Sequence, residues 1–236
     1  MSYTLPLLLS LLFVVTGCTQ QAAIPLHLQA TAQLPAIAAE FSTTVSEADH
    51  ATEQEEHAWR FWRGAHFIET LDLQDQSGDN WNQAADGVVT YQHLFHSQQQ
   101  LIDYLPGDMK AIGIEPNWQA LGTLLSPAMV ATLLADGQEQ VLGRTAIHYH
   151  STDPNQDVEV LWLEQEQLPA LLKYNDHGHT IVTRLTALYP LAQSPWPYQR
   201  ASGYRSTDFS DLGDKENDPF VKSIQHKIKG GHSHAH

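Results

Sequence analysis

The sequence predicts an α+β protein, an antiparallel sheet interrupted by one helical stretch and followed by a terminal helix. Three observations predict it. Between Gln140 and Leu188 four strand-like runs alternate with turn residues, the spacing of an antiparallel meander joined by hairpins. From Arg60 to Leu73 the apolar spacing falls towards two, as on a strand with one buried side. Between Pro116 and Ala135, Trp118, Leu121, Leu124 and Leu125 recur at helical spacing.

The chain has 236 residues, 42% of them hydrophobic, which suits one domain of ordinary size with a real core. Asp and Glu outnumber Lys and Arg by 27 to 12, for a net charge of −15. This argues against nucleic acid as a partner, because phosphate binding needs a basic surface. It argues equally against direct docking on anionic headgroups. Residues 1–17 read as a signal peptide. An uncharged apolar run, Leu5 to Val15, leads into Val15-Thr16-Gly17-Cys18, and Cys18 is the only cysteine. The run is too short for a membrane span, which takes about 20 residues. The stretch resembles a bacterial lipobox, although Met1 to Pro6 lacks the usual Lys or Arg. The resemblance implies cleavage before Cys18, lipid on its sulfur and amine, and attachment to a membrane through those chains, each buried methylene contributing about 0.8 kcal/mol. Thr19, where an Asp would signal retention, implies the outer membrane, facing the periplasm.

Residues 18–45 follow as a lipidated tether, rich in Ala, Gln, Thr and Ser and carrying Pro25 and Pro35. A single domain is expected over 46–229. Ser46, Glu47 and Asp49 place a cap and negative charge at a helix start, so a helix is expected from Ser46 through Glu55 and Glu56 towards Trp59. In the strand pattern that follows, Phe61, Arg63 and Ala65 share one side, and Phe67, Glu69 and Leu71 continue in step. Gly78-Asp79-Asn80 reads as a turn. Gly87–His96 and Gln100–Leu105 are strands, the second stopped by Pro106-Gly107. Pro127 splits the helical stretch into two. The meander strands are Gln140–His150, Asp157–Glu164, Ala170–Asn175 and His179–Leu188. After Pro190 the chain is irregular and exposed around Trp196. Asp218-Pro219 then starts a helix, with Asp as cap and Pro in the first turn.

Gly143-Arg144-Thr145-Ala146, then Val160-Leu161-Trp162-Leu163, then the run Leu168 to Tyr174, with a further turn and strand, resembles the periplasmic lipoprotein-carrier and receptor (LolA/LolB-like) superfamily over roughly residues 55–190. The resemblance implies a curved antiparallel half-barrel with helices on or across its concave face, enclosing an apolar cavity. It implies a lipid, an acyl chain or an apolar partner segment as ligand, with a lipoprotein among the possible partners. Phe61, Phe67, Leu71, Val89, Tyr91, Val160, Trp162, Leu172 and Tyr174 are then the candidate lining. An apolar lining replaces the ligand's hydration at about 25 cal/mol per Å².

Fourteen histidines raise a second possibility. His232, His234 and His236 alternate in the tail 230–236, and such imidazoles bind Zn, Cu or Ni. His148 and His150 share one strand face. A simple meander puts two strands between them and His177 and His179, a separation of roughly 14 Å, too far for one ion. His93 and His96 face opposite ways on a strand. The chain has no Gly-x-Ser-x-Gly elbow, no His-Glu-x-x-His and no Walker loop. The expectation is a lipid-anchored envelope protein that binds an apolar ligand without catalysis and holds no resident cofactor. The alternative is an envelope metal-binding protein that uses the His-rich tail.

Overall fold

The computed structural model describes residues 24–47, 50–198 and 200–230. The sequence readings that concern the leader, Cys18 and the histidine tail lie outside these residues. The chain forms one open, curved sheet of twelve strands, with four short helices laid against it. The strands are β1 (Ile37–Glu47), β2 (His50–Arg63), β3 (Phe67–Asp72), β4 (Ser77–Gln83), β5 (Val89–Phe95) and β6 (Gln100–Tyr104). After the helices come β7 (Leu133–Val141), β8 (Arg144–Ser151), β9 (Glu159–Leu163), β10 (Leu168–Asp176) and β11 (His179–Pro190), and finally β12 (Arg205–Asp208). The spatial order is β12-β6-β5-β4-β3-β2-β1-β11-β10-β9-β8-β7. Two antiparallel meanders, β1–β6 and β7–β11, are joined where β1 pairs with β11. The α+β class and the curved antiparallel sheet expected from sequence are present, and the sheet is not closed into a barrel.

Helices α1 (Pro106–Ala111), α2 (Trp118–Thr123) and α3 (Pro127–Val130) connect the meanders, and α4 (Pro219–Gly230) ends the described chain. Pro opens α1, α3 and α4, where its missing N–H costs nothing. Asn117 and Ser126 accept from the Ala120 and Met129 amides at the starts of α2 and α3, and Asp218 accepts from Phe220 N–H at 2.8 Å. Among the described residues no helix is long and apolar enough to cross a membrane.

Several expectations change. No helix starts at Ser46: β1 and β2 form a long hairpin, with Val45 opposite Glu55 and Phe41 opposite Trp59. Near the hairpin's far end Glu47, Glu55 and Glu56 are exposed. The β-branched Thr43-Thr44-Val45 opposite favours the strand. The described part of the expected tether, residues 24–45, is packed on the domain and not a free linker. Pro25 bridges to Leu134, Ala135 N–H donates to Ile24 O at 2.9 Å, and β1 lies inside the sheet. Ala, Thr and Ser gave the segment a linker composition, yet Ala38 and Ala39 are fully buried between neighbouring strands.

Gly78-Asp79-Asn80 is strand, not turn. A Cβ on Gly78 would sit 1.9 Å from Thr70 O, so glycine is there for close strand approach. The run Gln140–His150 is two strands, folded at Leu142-Gly143, both with positive φ (50° and 73°) as a tight hairpin requires. The segment around Trp196 is half-buried. Strand β12, only four residues long, was not anticipated. It pairs in parallel with β6.

One side chain ties these parts together. Arg63, at the end of β2, is 1% exposed, and burial lowers its guanidinium to about 10, so it stays charged at neutral pH. Its Nε donates to Pro35 O at 3.0 Å and its Nη1 to Gln167 O at 3.0 Å. Nη1 also donates to Gly122 O near the end of α2, and Nη2 to Glu166 O in the β9–β10 turn. Replacing Arg63 by Met would strand these carbonyls, and the expected loss is about 3 kcal/mol or more of unfolding free energy. The midpoint of a urea titration checks this; a shift within experimental error would contradict the role.

Candidate ligand-binding site

Pairing registers assign the nine predicted lining residues to faces. Phe61 sits opposite Ala39 on β1, and Thr43, on the same side of β1, sits opposite Thr183, which faces Leu172, which faces Val160. On the other wing Ile68, Trp81, Tyr91 and Tyr104 stand in one cross-strand row. Phe61, Val89, Tyr91, Val160, Trp162, Leu172 and Tyr174 therefore share one face, the inner one, which the helices cover. Phe67 and Leu71 do not. The β2–β3 chain reverses at Ala65-His66, with Gly64 N–H donating to Phe67 O at 2.9 Å. Antiparallel pairing then sets Arg63 against Ile68 and Trp62 against Glu69. Phe67, Glu69 and Leu71 thus join Trp62 on the outer face. The sequence pattern was extended through a turn that inverts it.

The inner face carries two apolar clusters. In the first, Phe61, Ile68, Trp81, Phe95 and Ile102 pack beneath Met109 of α1, Trp118 of α2, and Phe220, Val221 and Ile224 of α4. An aromatic ladder crosses it: Trp81 stacks on Tyr91 at 4.2 Å, Tyr91 on Tyr104 at 4.6 Å and Tyr104 on Phe209 at 4.7 Å. In the second, Leu26, Leu125, Leu133, Tyr149, Val160 and Trp162 pack together, with Tyr174 against them. Each cluster borders a cleft. One, of about 450 Å³, lies between the start of β5 and α1, against Val88, Val89, Met109 and Ile114. The other, of about 350 Å³, lies between residues 26–28 and α2–α3, against Leu26, Leu125 and Val130. Both volumes fall at the small end of the range for ligand sites.

A polar group interrupts the inner face between β4 and β5. Asp79 Oδ1 accepts from the Tyr91 hydroxyl at 2.7 Å and lies 2.6 Å from His93 Nδ1. Burial, then the charge of Asp79, push the Tyr91 phenol well above its ordinary range, so it stays protonated. Among the described residues His93 Nδ1 also lies 3.4 Å from the Tyr91 hydroxyl. Other histidines also pair across strands. His148 Nδ1 lies 2.5 Å from Asp136 and its Nε2 3.2 Å from Glu159, and His150 lies 3.0 Å from the same Asp136. Among the described residues no three His, Cys, Asp or Glu side chains are placed to hold a metal ion.

The outer face has its own cover, which sequence reasoning missed. The chain after β11 crosses β2–β4. Trp62 Nε1 donates to Trp196 O at 3.0 Å, the Arg60 guanidinium lies 4.7 Å from the Trp196 ring, and Tyr198 stacks on Phe67 at 3.9 Å. Beneath it Glu69 is 2% exposed, with Asn80 Nδ2 donating to its Oε2 at 2.6 Å and lying 3.0 Å from the Tyr198 hydroxyl. The readable signal was the apolar company of Glu69 in a period-two run.

No family model matches the chain, and no curated protein matches it. Among solved structures, PNGF-II is similar over 77% of this chain at 9% identity and a TM-score of 0.40, and the match spans only 32% of PNGF-II. A domain described as an outer membrane lipoprotein-sorting protein, from Vibrio parahaemolyticus, is similar over 69% of this chain and 87% of its own, at 9% identity and a TM-score of 0.31. A LolA superfamily protein from Nitrosomonas europaea is similar over 67% of this chain and 89% of its own, at 8% identity and a TM-score of 0.24. At such scores none of these likenesses assigns a function.

Burial raises the Glu69 carboxyl from 4.5 to about 7, against the opposing hydrogen bond from Asn80. A raised folded value means that the neutral carboxyl suits the fold. Its contribution is complete below pH 4.5 and is lost as pH rises through about 7. Glu69→Gln should remove that loss, making the protein more stable than wild type at pH 8 by up to about 3 kcal/mol and little changed at pH 4. Denaturant titrations at both pH values test it; parallel pH profiles for the two proteins would contradict it.

Proposed function

We propose that this chain is a lipid-anchored protein of the bacterial envelope that holds a lipid, an acyl chain or an apolar partner segment between its sheet and helices, without catalysis. The observation that carries the reading is the inner face: a broad apolar surface roofed by short segments, with two clefts at the roof's margins. Helices α1, α2 and α3 have six, six and four residues. Isolated helices shorter than about 12 residues are marginal in water, so this roof is helical only because it packs on the sheet. Parting it exposes an apolar lining of the kind a hydrated acyl chain seeks. Residues 1–18 supply the anchor in this reading, with the leader removed, lipid on Cys18 and the domain facing the periplasm from the outer membrane.

The anchoring is tested by fractionation. Wild type is expected in the membrane pellet and Cys18→Ala in the soluble fraction; a variant that stays with the membrane overturns the lipid anchor. The binding is tested by native mass spectrometry of the full chain made without an affinity tag. A co-purifying mass in the lipid range, released by organic solvent, is the expected result. A bare chain that also fails to take up added fatty acyl ester contradicts it.

A further inference from the structure

Trp162 sits on β9 in the second apolar cluster, with no exposed surface. Its indole Nε1–H has no acceptor among the described residues. Two other indoles are paired: Trp59 donates to Thr43 Oγ1 at 2.9 Å and Trp62 to Trp196 O at 3.0 Å. Buried donors are normally paired, because an unpaired one has surrendered its hydration for nothing. Trp162 is also next to a place where something could enter. Leu26 and Leu125 pack in its cluster and also line the cleft of about 350 Å³ beside α2 and α3.

The surroundings restrict what could satisfy this N–H. An indole only donates, so the missing group must accept. The cluster around it is aliphatic side chains, Met129 and the rings of Tyr149 and Tyr174, so the rest of the occupant must be apolar. A hydroxyl would accept but would bring a proton of its own that needs a second acceptor. A carboxylate would bring a buried charge. An ester carbonyl accepts and brings neither. We infer that the compartment under α2 and α3 binds an acyl ester, its chain lying along the second cluster and its carbonyl oxygen accepting from Trp162 Nε1. This rests on the apolar-ligand reading above and adds which cluster holds the ligand and which group on it is recognised.

The test compares two probes of similar size, methyl dodecanoate and pentadecane, competing with an environment-sensitive dye for the full chain carrying Cys18→Ala. The ester should bind about tenfold more tightly than the alkane, the effect of one neutral hydrogen bond. Trp162→Phe keeps an aromatic filler and removes the donor. It should weaken the ester about tenfold, leave the alkane unchanged and so abolish the preference. An ester preference that survives in Trp162→Phe, or is missing in wild type, overturns the inference while leaving an apolar site. Displacement by neither probe overturns the apolar-ligand reading and the inference with it. Should Trp162→Phe misfold, wild type decides alone. The indole N–H resonance of Trp162, in protein labelled with 15N-tryptophan, should move downfield with ester and not with alkane; a resonance indifferent to bound ester overturns the inference.

Discussion

A guanidinium that gives up nearly all contact with water must find its hydration elsewhere, and Arg63 finds it in backbone carbonyls alone. Pro35, Gly122, Glu166 and Gln167 each offer an oxygen. These belong to three separate stretches of chain, and they meet because Arg63 ends β2 on the inner face. A carboxylate partner would have neutralised the cation at one point. Carbonyls spread the charge over the approach to β1, the end of α2 and the β9–β10 turn, so the same side chain fixes three places in the fold. Gln167 extends the arrangement: its Oε1 accepts from Gln29 N–H at 2.7 Å, and Gln119 of α2 donates to Gln29 O at 2.9 Å. The segment before β1 thereby becomes part of the roof.

This stitching explains why one face of an open sheet can stay apolar across both meanders. The inner face is covered by pieces too short to be stable alone, and the outer face is managed differently. There a strap of Pro and aromatic residues lies over Trp62, Phe67 and the buried Glu69, so the acid is enclosed on the side away from the clefts. The polar group Asp79–His93–Tyr91 is on the clefts' side, but its members satisfy one another. Chemistry and apolar capacity are thus separated by face, a separation that period-two alternation produces automatically once register is fixed.

Much of this was legible. The strand runs Gly87–His96, Gln100–Leu105, Asp157–Glu164, Ala170–Asn175 and His179–Leu188, the split of the helical stretch at Pro127 and the capped helix at Asp218-Pro219 were readable because turn residues and prolines mark them locally. The seven inner-face residues were readable because large apolar groups alternate. What escaped was whatever depended on partners distant in sequence. Ser46 to Glu56 carries helix-like charge and cap residues, yet its pairing with β1 decides the outcome. Phe67 and Leu71 carry the right chemistry on the wrong face, since only the hairpin geometry at Ala65-His66 reveals the inversion. Arg63 looked like one more strand residue, because nothing local announces four carbonyls converging from elsewhere.

The distribution of hydrogen bonds within the roof says where it is weakest. Helix α2 is held to other parts of the chain through Gly122 and Gln119, and residues 24–26 are held to β7. Helices α1 and α3 differ: among the described residues their hydrogen bonds close within their own turns, as from Ile112 to Asp108 and from Val130 to Ser126. Side-chain packing alone keeps these two against the sheet. Packing is non-directional, and an acyl chain can replace it methylene for methylene, whereas it cannot replace a hydrogen bond to a carbonyl. The two clefts lie beside α1 and α3, where an apolar occupant can compete with the roof on equal terms. Arg63 holds α2 between them, so both margins can yield without loss of the centre.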